Sequence, residues 1–473
     1  MFLLAILLQE QAPVWREQRQ IISFKVGRIM TDIKVNGLNE PGLTFHELEQ
    51  GFTIKEAITE AGRCLNCAKP LCRTGCPIDN DIPGFIYALS RGNIGEAREI
   101  IAERSNLPAV CGRVCPHEKQ CEGHCVLAKK QQGIKIGKLE RFIADFDAAM
   151  HLSRDKVPAK INGKVAVIGS GPAGLTVAGD LAKQGFNVVV FEAESEPGGV
   201  LLYGIPEYRL PKKVVRQEIE RIASLGVTFI TNCLVGVNIT VDQLFDQGFD
   251  AVFIGTGTAL AKGLDIPGKD LMGVIQATYF LRTIVLYNDG KIDRKEVPVY
   301  KDDQVLIIGG GNVAMDAARS ALRLGARVTV VYRRTESDLT ALRSEYEGAV
   351  AEGAAFCWQA SPLAFIGKEG MLTGLEIATP TGKTILPANK VLLAIGSRPA
   401  ARIVSTTKGI EVNPAGYVIT KQTPYGMTTL KGVFAGGDVV HQPATVVLAM
   451  KEAKRVAKGI AAYVQAKKLL EEC

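Results

Sequence analysis

The pattern of apolar and polar positions divides the chain into two kinds of sequence. Over residues 44–150 the apolar residues recur at helical spacing, and Thr53 stands three residues before Glu56, as in a capping box. The pattern predicts two more short helices on either side of the turn Arg91-Gly92-Asn93, and another through IGKLERFIADFDAAM. We therefore expect a small helical domain in this part of the chain.

From Ile161 onward, strands alternate with helices. Two segments each predict a strand, a glycine-rich turn, a helix and a second strand: KVAVIGSGPAGLTVAGDLAKQGFNVVVFEAE and QVLIIGGGNVAMDAARSALRLGARVTVVYRR. They resemble each other and form one internal repeat. Three further apolar runs predict buried strands, namely AVFIGTGT, VLLAIGSRP and GVFAGGDVV. This alternation is typical of parallel sheets.

The composition is that of a soluble globular protein of several domains. With 473 residues, of which 47% are hydrophobic and 22% charged, the chain is too long for one compact core. Its net charge of +7 includes no basic block, which disfavours nucleic acid as a partner but is compatible with an acidic protein. The apolar run from Phe2 to Leu8 is too short to cross a bilayer, so we expect a cytoplasmic protein with an N-terminal extension at residues 1–43.

The first repeat unit has the pattern of a dinucleotide-binding turn. Gly169 permits a tight turn after the strand, Gly171 lets the backbone approach a pyrophosphate, and Gly174 lets helix and strand pack closely. The pyrophosphate would lie at the helix N-terminus, where free N–H groups favour an anion. At the end of the second strand, a carboxylate would accept hydrogen bonds from ribose hydroxyls. The candidate residues are Gly169, Gly171, Pro172, Ala173, Gly174 and Glu192.

The second repeat unit has a similar turn but a different strand end. Its second strand ends in Tyr332-Arg333-Arg334 rather than in an acid. Arginines pair with a 2′-phosphate through charge-assisted hydrogen bonds, so this unit predicts NADPH rather than NADH. The candidate residues are Gly309, Gly311, Asn312, Val313, Ala314, Arg333 and Arg334.

Together the two units resemble the two-dinucleotide-binding flavoprotein superfamily, which implies FAD in the first unit and NADPH in the second. In EPGGVLLYGIP, Gly198-Gly199 would let the chain pass close to the flavin, and in GVFAGGDVV, Gly437 and Asp438 match the segment that binds the FAD ribityl chain. The resemblance also implies a helix that opens at Ala444-Thr445 and points its N-terminus at the flavin. Disulfide reductases of this superfamily carry a cysteine pair, but neither GGVLLYGIPEYR nor residues 300–395 contains one. Electrons must therefore leave this flavin by another route.

Eight of the eleven cysteines lie between Cys64 and Cys125. A disulfide scaffold is normally short and rich in cysteine throughout, which does not describe this chain. Zinc needs four ligands in two short pairs, and Cys64-x2-Cys67 alone could begin such a site, whereas Cys-Pro steps occur in ferredoxin runs that hold four-iron clusters. We favour two such clusters over zinc, since clusters would also give the flavin its electron exit. The two groups are Cys64-x2-Cys67-x4-Cys72-x3-Cys76-Pro and Cys111-x3-Cys115-Pro-x4-Cys121-x3-Cys125.

Motifs across residues 44–473 occur in the order of one known family: RCLNC, GCP, LPAVCGRVCP, CEGHC, IGKLERF, GSGPAGL, GGGNVAMD, YRR and GGD. They resemble the small, NADPH-oxidising subunit of bacterial glutamate synthase and its relatives. These relatives are the N-terminal part of dihydropyrimidine dehydrogenase and the flavin subunit of ferredoxin:NADP transhydrogenases. One departure is the segment 339–342, Leu-Thr-Ala-Leu, where the family usually has a run like Met-Pro-Ala-Arg.

The resemblance implies an interleaved set of cluster ligands. One four-iron cluster would use Cys64, Cys67, Cys72 and Cys125, and the other would use Cys76, Cys115 and Cys121. For the fourth ligand of the second cluster, counting nominates Cys111. The family pattern instead implies a side-chain oxygen at Glu140, which we favour.

The fold class expected from these features is α/β, with two Rossmann-like domains preceded by a small α-helical iron–sulfur domain. The NADPH domain would be inserted in the FAD domain, with crossover strands at GTGT and AIGSRP, which contain Gly257 and Gly396. The expected domains are residues 44–157 for the clusters, 158–262 with 396–473 for FAD, and 263–395 for NADPH.

The resemblance implies an electron-input subunit. It would pass electrons from NADPH through FAD and two [4Fe-4S] clusters to a larger catalytic subunit of the glutaminase and FMN-barrel type, and we expect an oligomer. One alternative is a flavin subunit of a ferredoxin:NADP (bifurcating) or sulfide/polysulfide oxidoreductase. Another is a non-catalytic zinc-binding assembly module. No general acid or base is expected, because the cofactors carry the chemistry.

Overall fold

The computed structural model describes residues 43–130, 132–152, 157–443 and 445–471. The expected N-terminal extension lies outside these ranges except for Leu43, as do Ala444 and Cys473. Within these ranges no helix is long and apolar enough to cross a membrane.

A helical domain opens the described chain, as the pattern predicts. The capping box forms: the Thr53 hydroxyl accepts from the Glu56 N–H at 3.3 Å, and the Glu56 carboxylate accepts from the Thr53 N–H at 2.8 Å. The turn at 91–93 separates the third and fourth helices. The helices are α1 (Ile54–Gly62), α2 (Leu71–Gly75), α3 (Ile82–Ser90), α4 (Ile94–Arg104), α5 (Pro108–Val114) and α6 (Ile136–Met150).

The core of this domain is apolar and supports the cysteine loops. Phe85, Leu89, Leu139 and Ile143 are buried in it, and several partly buried cysteines pack against it. The cysteine loops are therefore anchored to a packed core.

A parallel α/β unit follows the helical domain. Strands β1 and β4 are almost wholly buried, as expected for parallel strands covered by helices on both faces. The elements are β1 (Lys164–Ile168), α7 (Pro172–Lys183), β2 (Asn187–Phe191), α8 (Val200–Tyr203), α9 (Lys212–Ser224), β3 (Thr228–Ile230), α10 (Val241–Asp246) and β4 (Ala251–Ile254).

A second α/β unit comes next, reached through the short strand β5 (Leu260–Ala261). Its elements are β6 (Val274–Gln276), α11 (Ala277–Asn288), β7 (Gln304–Ile308), α12 (Asn312–Arg323), β8 (Arg327–Tyr332), α13 (Arg343–Ala351), β9 (Ala355–Trp358), β10 (Ser361–Lys368), β11 (Met371–Thr379), β12 (Gly382–Pro387) and β13 (Lys390–Leu393). Five strands form a parallel sheet in the order β6-β13-β7-β8-β9. Strands β10 to β12 form a separate antiparallel sheet, which the sequence patterns do not predict.

The chain then returns to the first sheet. The returning elements are β14 (Ser397–Arg398), α14 (Arg402–Ser405), β15 (Thr420–Gln422), β16 (Tyr425–Thr428), β17 (Val433–Ala435) and α15 (Val446–Glu471). The completed sheet has the order β15-β16-β17-β4-β1-β2-β3, and β5 pairs with β14 where the chain crosses between the two units. The insertion of one dinucleotide-binding domain in the other is thereby confirmed.

Buried ion pairs join the domains. Arg209, between α8 and α9, contacts Asp316 of α12 at 2.8 Å and Glu345 of α13 at 2.8 Å. The adjacent Tyr208 is buried, and its carbonyl accepts from the N–H of Leu48 at 3.1 Å. These contacts fix the inserted domain against the segment between α8 and α9, and this segment also contacts the start of the helical domain.

Candidate functional site

The first glycine turn encloses open space at the N-terminus of α7. Gly169 has φ +92°, and a Cβ on Gly174 would overlap the carbonyl oxygen of Gly169, so helix and strand pack as closely as predicted. A Cβ on Gly171 would meet no heavy atom within 4 Å. Pro172 and Ala173 begin α7 directly beside this space. The turn therefore leaves room for a pyrophosphate at a helix N-terminus.

Glu192 follows β2 and is held against this turn. Its Oε2 accepts from the backbone N–H of Ser170 at 2.9 Å and from the Ser170 hydroxyl, and its Oε1 accepts from the N–H of Glu194 at 2.9 Å. An ionised carboxylate has about four acceptor positions, so lone pairs remain for ribose hydroxyls. Sequence reasoning missed Ser170, although its hydroxyl lies inside the glycine motif and could have been noted there.

Two distant segments reach the same turn. The Gly198 N–H donates to the Ser170 hydroxyl at 2.9 Å, and Gly199, with φ +52°, lies so close to Gly171 that an added Cβ would stand 2.8 Å from its Cα. A Cβ on Gly437 would stand 2.8 Å from the Ala173 Cβ. The three glycine-containing segments thus converge at the N-terminus of α7.

The remaining first-unit candidates lie at the carboxyl edge of the sheet or at the domain crossing. Asp438 is half-buried, and burial raises the pKa of its carboxyl. Thr445 directly precedes α15, and its hydroxyl accepts from the Leu448 N–H at 3.4 Å. Gly257 and Gly396 flank the β5–β14 pair, and neither has a heavy atom within 4 Å of an added Cβ.

The second glycine turn is covered by a segment that sequence reasoning did not place. The Thr340 hydroxyl donates to the carbonyl of Gly310 at 3.2 Å and would lie 3.4 Å from a Cβ on Gly311. Asn312 Oδ1 accepts from the Leu342 N–H at 2.8 Å. The segment 339–342, which departs from the family pattern, is therefore folded onto the turn.

The other candidates of the second unit surround this turn. Gly309 has φ +142° and lies against the carbonyl of Ala394, while Val313 is exposed and Ala314 is buried in the first turn of α12. Arg333 and Arg334 are both exposed just beyond β8.

Four of the cysteines line one cavity. Apart from these sulfur atoms, the lining is predominantly apolar, and it includes Ile82, Ile86 and Ile134. The cysteines are Cys64, Cys67, Cys72 and Cys125, and all of them are free thiols.

A second cavity has a more polar lining. Two buried polar atoms of this lining, Asn80 Oδ1 and His117 Nε2, have no hydrogen-bond partner among the described residues. Val447, in the first turn of α15, also lines it, so this cavity adjoins the helix expected to face the flavin. The metal-ligand candidates in this lining are Cys76, Cys111, Cys115, Cys121 and Glu140.

Burial makes these donors costly to charge in isolation. Burial raises the pKa of Glu140 to about 8, with a further contribution from the Glu218 carboxylate, and burial raises the pKa of Cys76 to about 11. A positively charged metal centre would offset this cost, and soft thiolate ligands suit iron–sulfur clusters. No three His, Cys, Asp or Glu side chains in the described ranges are close enough to hold one metal ion. The thiol side chains that line the two cavities are the ligand type that iron–sulfur clusters use.

Both candidates for the eighth ligand reach the second cavity. The Cys111 sulfur lies 3.6 Å from the sulfur of Met450 on α15, while a carboxylate oxygen of Glu140 lies 3.5 Å from the Asn80 amide nitrogen. Cys111 and Glu140 therefore both line the second cavity.

Lys212 stabilises the segment that follows Gly198 and Gly199. Nothing in the sequence indicates this role of the lysine. It is buried, and its ammonium group donates to the carbonyls of Leu201 and Leu210, each at 3.0 Å, and of Ile205. Burial lowers the pKa of this amine to about 8. Lys212 therefore fastens the loop in its observed shape.

Comparison with known protein families covers nearly all of the described chain. Residues 42–152 match the family described as dihydropyrimidine dehydrogenase domain II, 4Fe-4S cluster. Residues 163–453 match the family described as pyridine nucleotide-disulphide oxidoreductase. The two matches meet between the helical domain and the first sheet.

Relatives and solved structures agree with these matches. The chain is 35% identical over 441 residues to the glutamate synthase [NADPH] small chain of Halomonas elongata, covering 89% of this chain and 93% of that one. It is 35% identical over 420 residues to the NAD-dependent dihydropyrimidine dehydrogenase subunit PreT of Escherichia coli K12, covering 89% and 97%. The structure of FprA from Mycobacterium tuberculosis in complex with NADPH shares the fold, with a TM-score of 0.53 at 20% identity, over 66% of this chain and 86% of that one. The chain therefore belongs to the pyridine nucleotide-disulphide oxidoreductase family, within the group of iron–sulfur oxidoreductases that includes the glutamate synthase small chains.

Proposed function

We propose that this protein is the NADPH-oxidising electron-input subunit of a glutamate synthase-type enzyme. The observation that carries the proposal is the position of the thiol-lined cavities. The second cavity adjoins α15, whose start lies near the convergent glycine segments of the first nucleotide site. Electrons delivered to that site would have an exit inside the same chain.

FAD is assigned to the first glycine turn and NADPH to the second. When bound, FAD takes two electrons together from NADPH, and iron–sulfur clusters carry electrons singly. For FAD, the convergent glycines would accommodate the pyrophosphate, Glu192 would hold the ribose, and Asp438 with Thr445 would contact the flavin end. The assignment of NADPH rather than NADH depends on Arg333 and Arg334. The relatives named above do not decide it, because one is named for NADPH and the other for NAD.

Two [4Fe-4S] clusters are assigned to the two cavities. The first would be held by Cys64, Cys67, Cys72 and Cys125, which share a cavity. The second would be held by Cys76, Cys115, Cys121 and either Glu140 or Cys111, and we favour Glu140. The chain's own contribution is to fix these donors on a packed helical core.

The acceptor we propose is a larger catalytic subunit with an FMN site, in a cytoplasmic complex. A related possibility is another redox protein, since the relatives include a dihydropyrimidine dehydrogenase subunit. We also propose the domain boundaries at residues 157/158, 262/263 and 395/396. The β5–β14 pair lies beside the last two.

The purified protein provides a direct test of this proposal. We expect one FAD and about eight iron atoms per chain, as two four-iron clusters require, and no stoichiometric zinc. Zinc in place of iron, without flavin, would instead support a structural assembly module.

The preference for NADPH is expected to depend on the exposed arginine pair. Replacing Arg333 and Arg334 together by alanine should raise the KM for NADPH by about 10- to 100-fold, because each charge-assisted hydrogen bond contributes about 1.5–3 kcal/mol. The KM for NADH should change little. Steady-state reduction of a small dye by both nucleotides measures this.

Arg343 provides the matched control for the arginine pair. It is exposed, but its guanidinium is engaged by Glu336 and Glu347, each at 2.8 Å. Arg343→Ala should leave the KM for NADPH within about twofold, since surface ion pairs contribute little. Equal effects of the two changes would contradict the assignment of the 2′-phosphate to Arg333 and Arg334.

A further inference from the structure

The two cysteine-lined cavities meet the protein surface differently. The second is lined by the buried Glu140 and by Val447 of α15, on the side of the flavin site. The first is bordered by Leu65, Leu71 and Val126, whose exposed fractions are 61%, 43% and 40%. The first cavity is therefore the one with exposed side chains in its lining.

These three exposed side chains form an apolar ring around the first cavity. Single exposed apolar residues are common on protein surfaces and need no explanation. Here, however, three large ones border the same cavity as four cysteines, and contiguous exposed apolar surface marks interaction sites. The ring is a candidate contact surface for another molecule.

Three exposed lysines, here called the basic rim, neighbour the ring residues along the chain. They are Lys69, Lys129 and Lys130. The two segments that carry ring and rim, Cys64–Cys76 and Cys125–Lys130, contain no aspartate or glutamate. The surface around the first cavity is therefore positively charged.

The acids closest in sequence do not cancel this charge. Glu60 is paired with Arg63 at 2.7 Å, and Asp79 is paired with Arg73 at 2.8 Å. Glu122 accepts from the backbone of α6 and is half-buried. The three lysines of the rim thus face solvent, while the carboxylates closest to them in sequence are already paired with arginines or hydrogen-bonded to the backbone.

We propose that the apolar ring and basic rim form the docking surface for the electron acceptor, a redox protein or subunit whose own redox centre lies under an acidic face. The inference rests on the proposed function, because it assumes that electrons reach the first cavity. An apolar centre inside a charged rim is the usual anatomy of a protein interface. Complementary charge mainly accelerates association and orients the partner.

The test uses an acidic plant-type ferredoxin as acceptor under anaerobic conditions, with NADPH as donor and a regenerating system that keeps NADP⁺ low, because the low reduction potential of such a ferredoxin otherwise makes its reduction by NADPH unfavourable. Changing Lys69, Lys129 and Lys130 together to glutamate should lower the second-order rate of ferredoxin reduction by about 10-fold or more at low ionic strength. The difference should shrink as salt is added, because screening weakens steering. With a basic cytochrome c as acceptor, the same variant should react no more slowly than the wild type.

A control variant carries the same change of net charge elsewhere. Lys383, Lys408 and Lys431 are exposed in the two nucleotide-binding units, and their change to glutamate should leave ferredoxin reduction within about threefold. Equal losses in both variants, or no loss in the rim variant, would overturn the docking surface. Iron content and NADPH bleaching of the flavin, measured in every variant, should match the wild type.

Failure of the docking proposal is distinguishable from failure of the proposed function. If NADPH bleaches the wild-type flavin but the protein does not reduce ferredoxin, the surface does not accept such a partner and only the docking proposal fails. If NADPH leaves the flavin oxidised, the proposed function fails and the docking proposal fails with it.

Discussion

Replacing Cys121 by serine is expected to remove one cluster and stop electron delivery while leaving the flavin reducible. The iron content should fall from about eight to about four per chain, because a four-iron cluster needs its soft thiolate ligands. Reduction of an external redox protein by NADPH should fall at least about 100-fold. Bleaching of the flavin by NADPH should change by less than about threefold, since it occurs before the clusters. Iron analysis and anaerobic stopped-flow spectroscopy measure these quantities.

Flavin reduction should survive the loss of electron delivery because Cys121 is buried in the helical domain, outside the nucleotide sites. Its thiol is 7% exposed and lies in the second cavity, next to α15, whereas the nucleotide sites are built from other domains. Loss of this ligand should interrupt the path between the flavin and the first cavity. Cys125→Ser should likewise remove about four irons, but from the first cavity.

Cys233 provides a matched control for the cysteine changes. It is a half-buried free thiol that packs in the first sheet's core rather than in either cavity. Cys233→Ser should keep about eight irons and the wild-type rate of electron delivery. Undiminished iron in the Cys121 variant would contradict the ligand assignment.

Replacing Arg209 by methionine is expected to destabilise the protein more than most single changes. It would leave the Asp316 carboxylate without its buried partner, whereas Glu345 would keep Arg319 at 2.7 Å, and breaking a buried ion pair costs about 3–5 kcal/mol. Asp316 is 4% exposed, and burial raises the pKa of its carboxyl, with a further contribution from the Glu345 carboxylate, so solvent cannot compensate the lost charge. At less than about 2 °C per kcal/mol, as expected for a unit of about 300 residues, thermal unfolding should occur about 5–8 °C lower.

The exposed pair Lys269–Asp265 tests whether burial is the reason that loss of the Arg209 ion pair destabilises the protein. Its atoms are also 2.8 Å apart, but the Asp265 side chain is 95% exposed. Lys269→Met should change the unfolding free energy by no more than about 1 kcal/mol. Similar shifts in unfolding temperature for the two variants would show that the Arg209 pair does not hold the domains together.

Local signals made much of the fold predictable. The capping box at Thr53, the turn at 91–93 and both glycine turns each depend on a few neighbouring residues, and the structure forms all of them. The insertion of one domain in the other followed from a family resemblance, and the strand order confirms it. Hydrophobic periodicity did not reveal the antiparallel sheet β10–β12.

Features that depend on distant partners were not predictable from the sequence. In the sequence, Lys212 stands beside Lys213, and nothing distinguishes it from an ordinary surface lysine. In the structure, three carbonyls of a folded loop accept hydrogen bonds from its ammonium group. Thr340 lies on the second glycine turn only because its segment folds back. Cys111 and Glu140 are 29 positions apart in sequence yet line one cavity, so spacing alone could not rank them.

An anaerobic visible spectrum of the purified protein, recorded before and after one equivalent of NADPH and with iron assayed on the same sample, tests the central claim most directly. We predict a brown protein whose flavin bands bleach on addition of NADPH and which contains about eight irons per chain. A protein without flavin bands, or with zinc where iron is expected, would contradict the claim that this chain passes electrons from NADPH to iron–sulfur clusters.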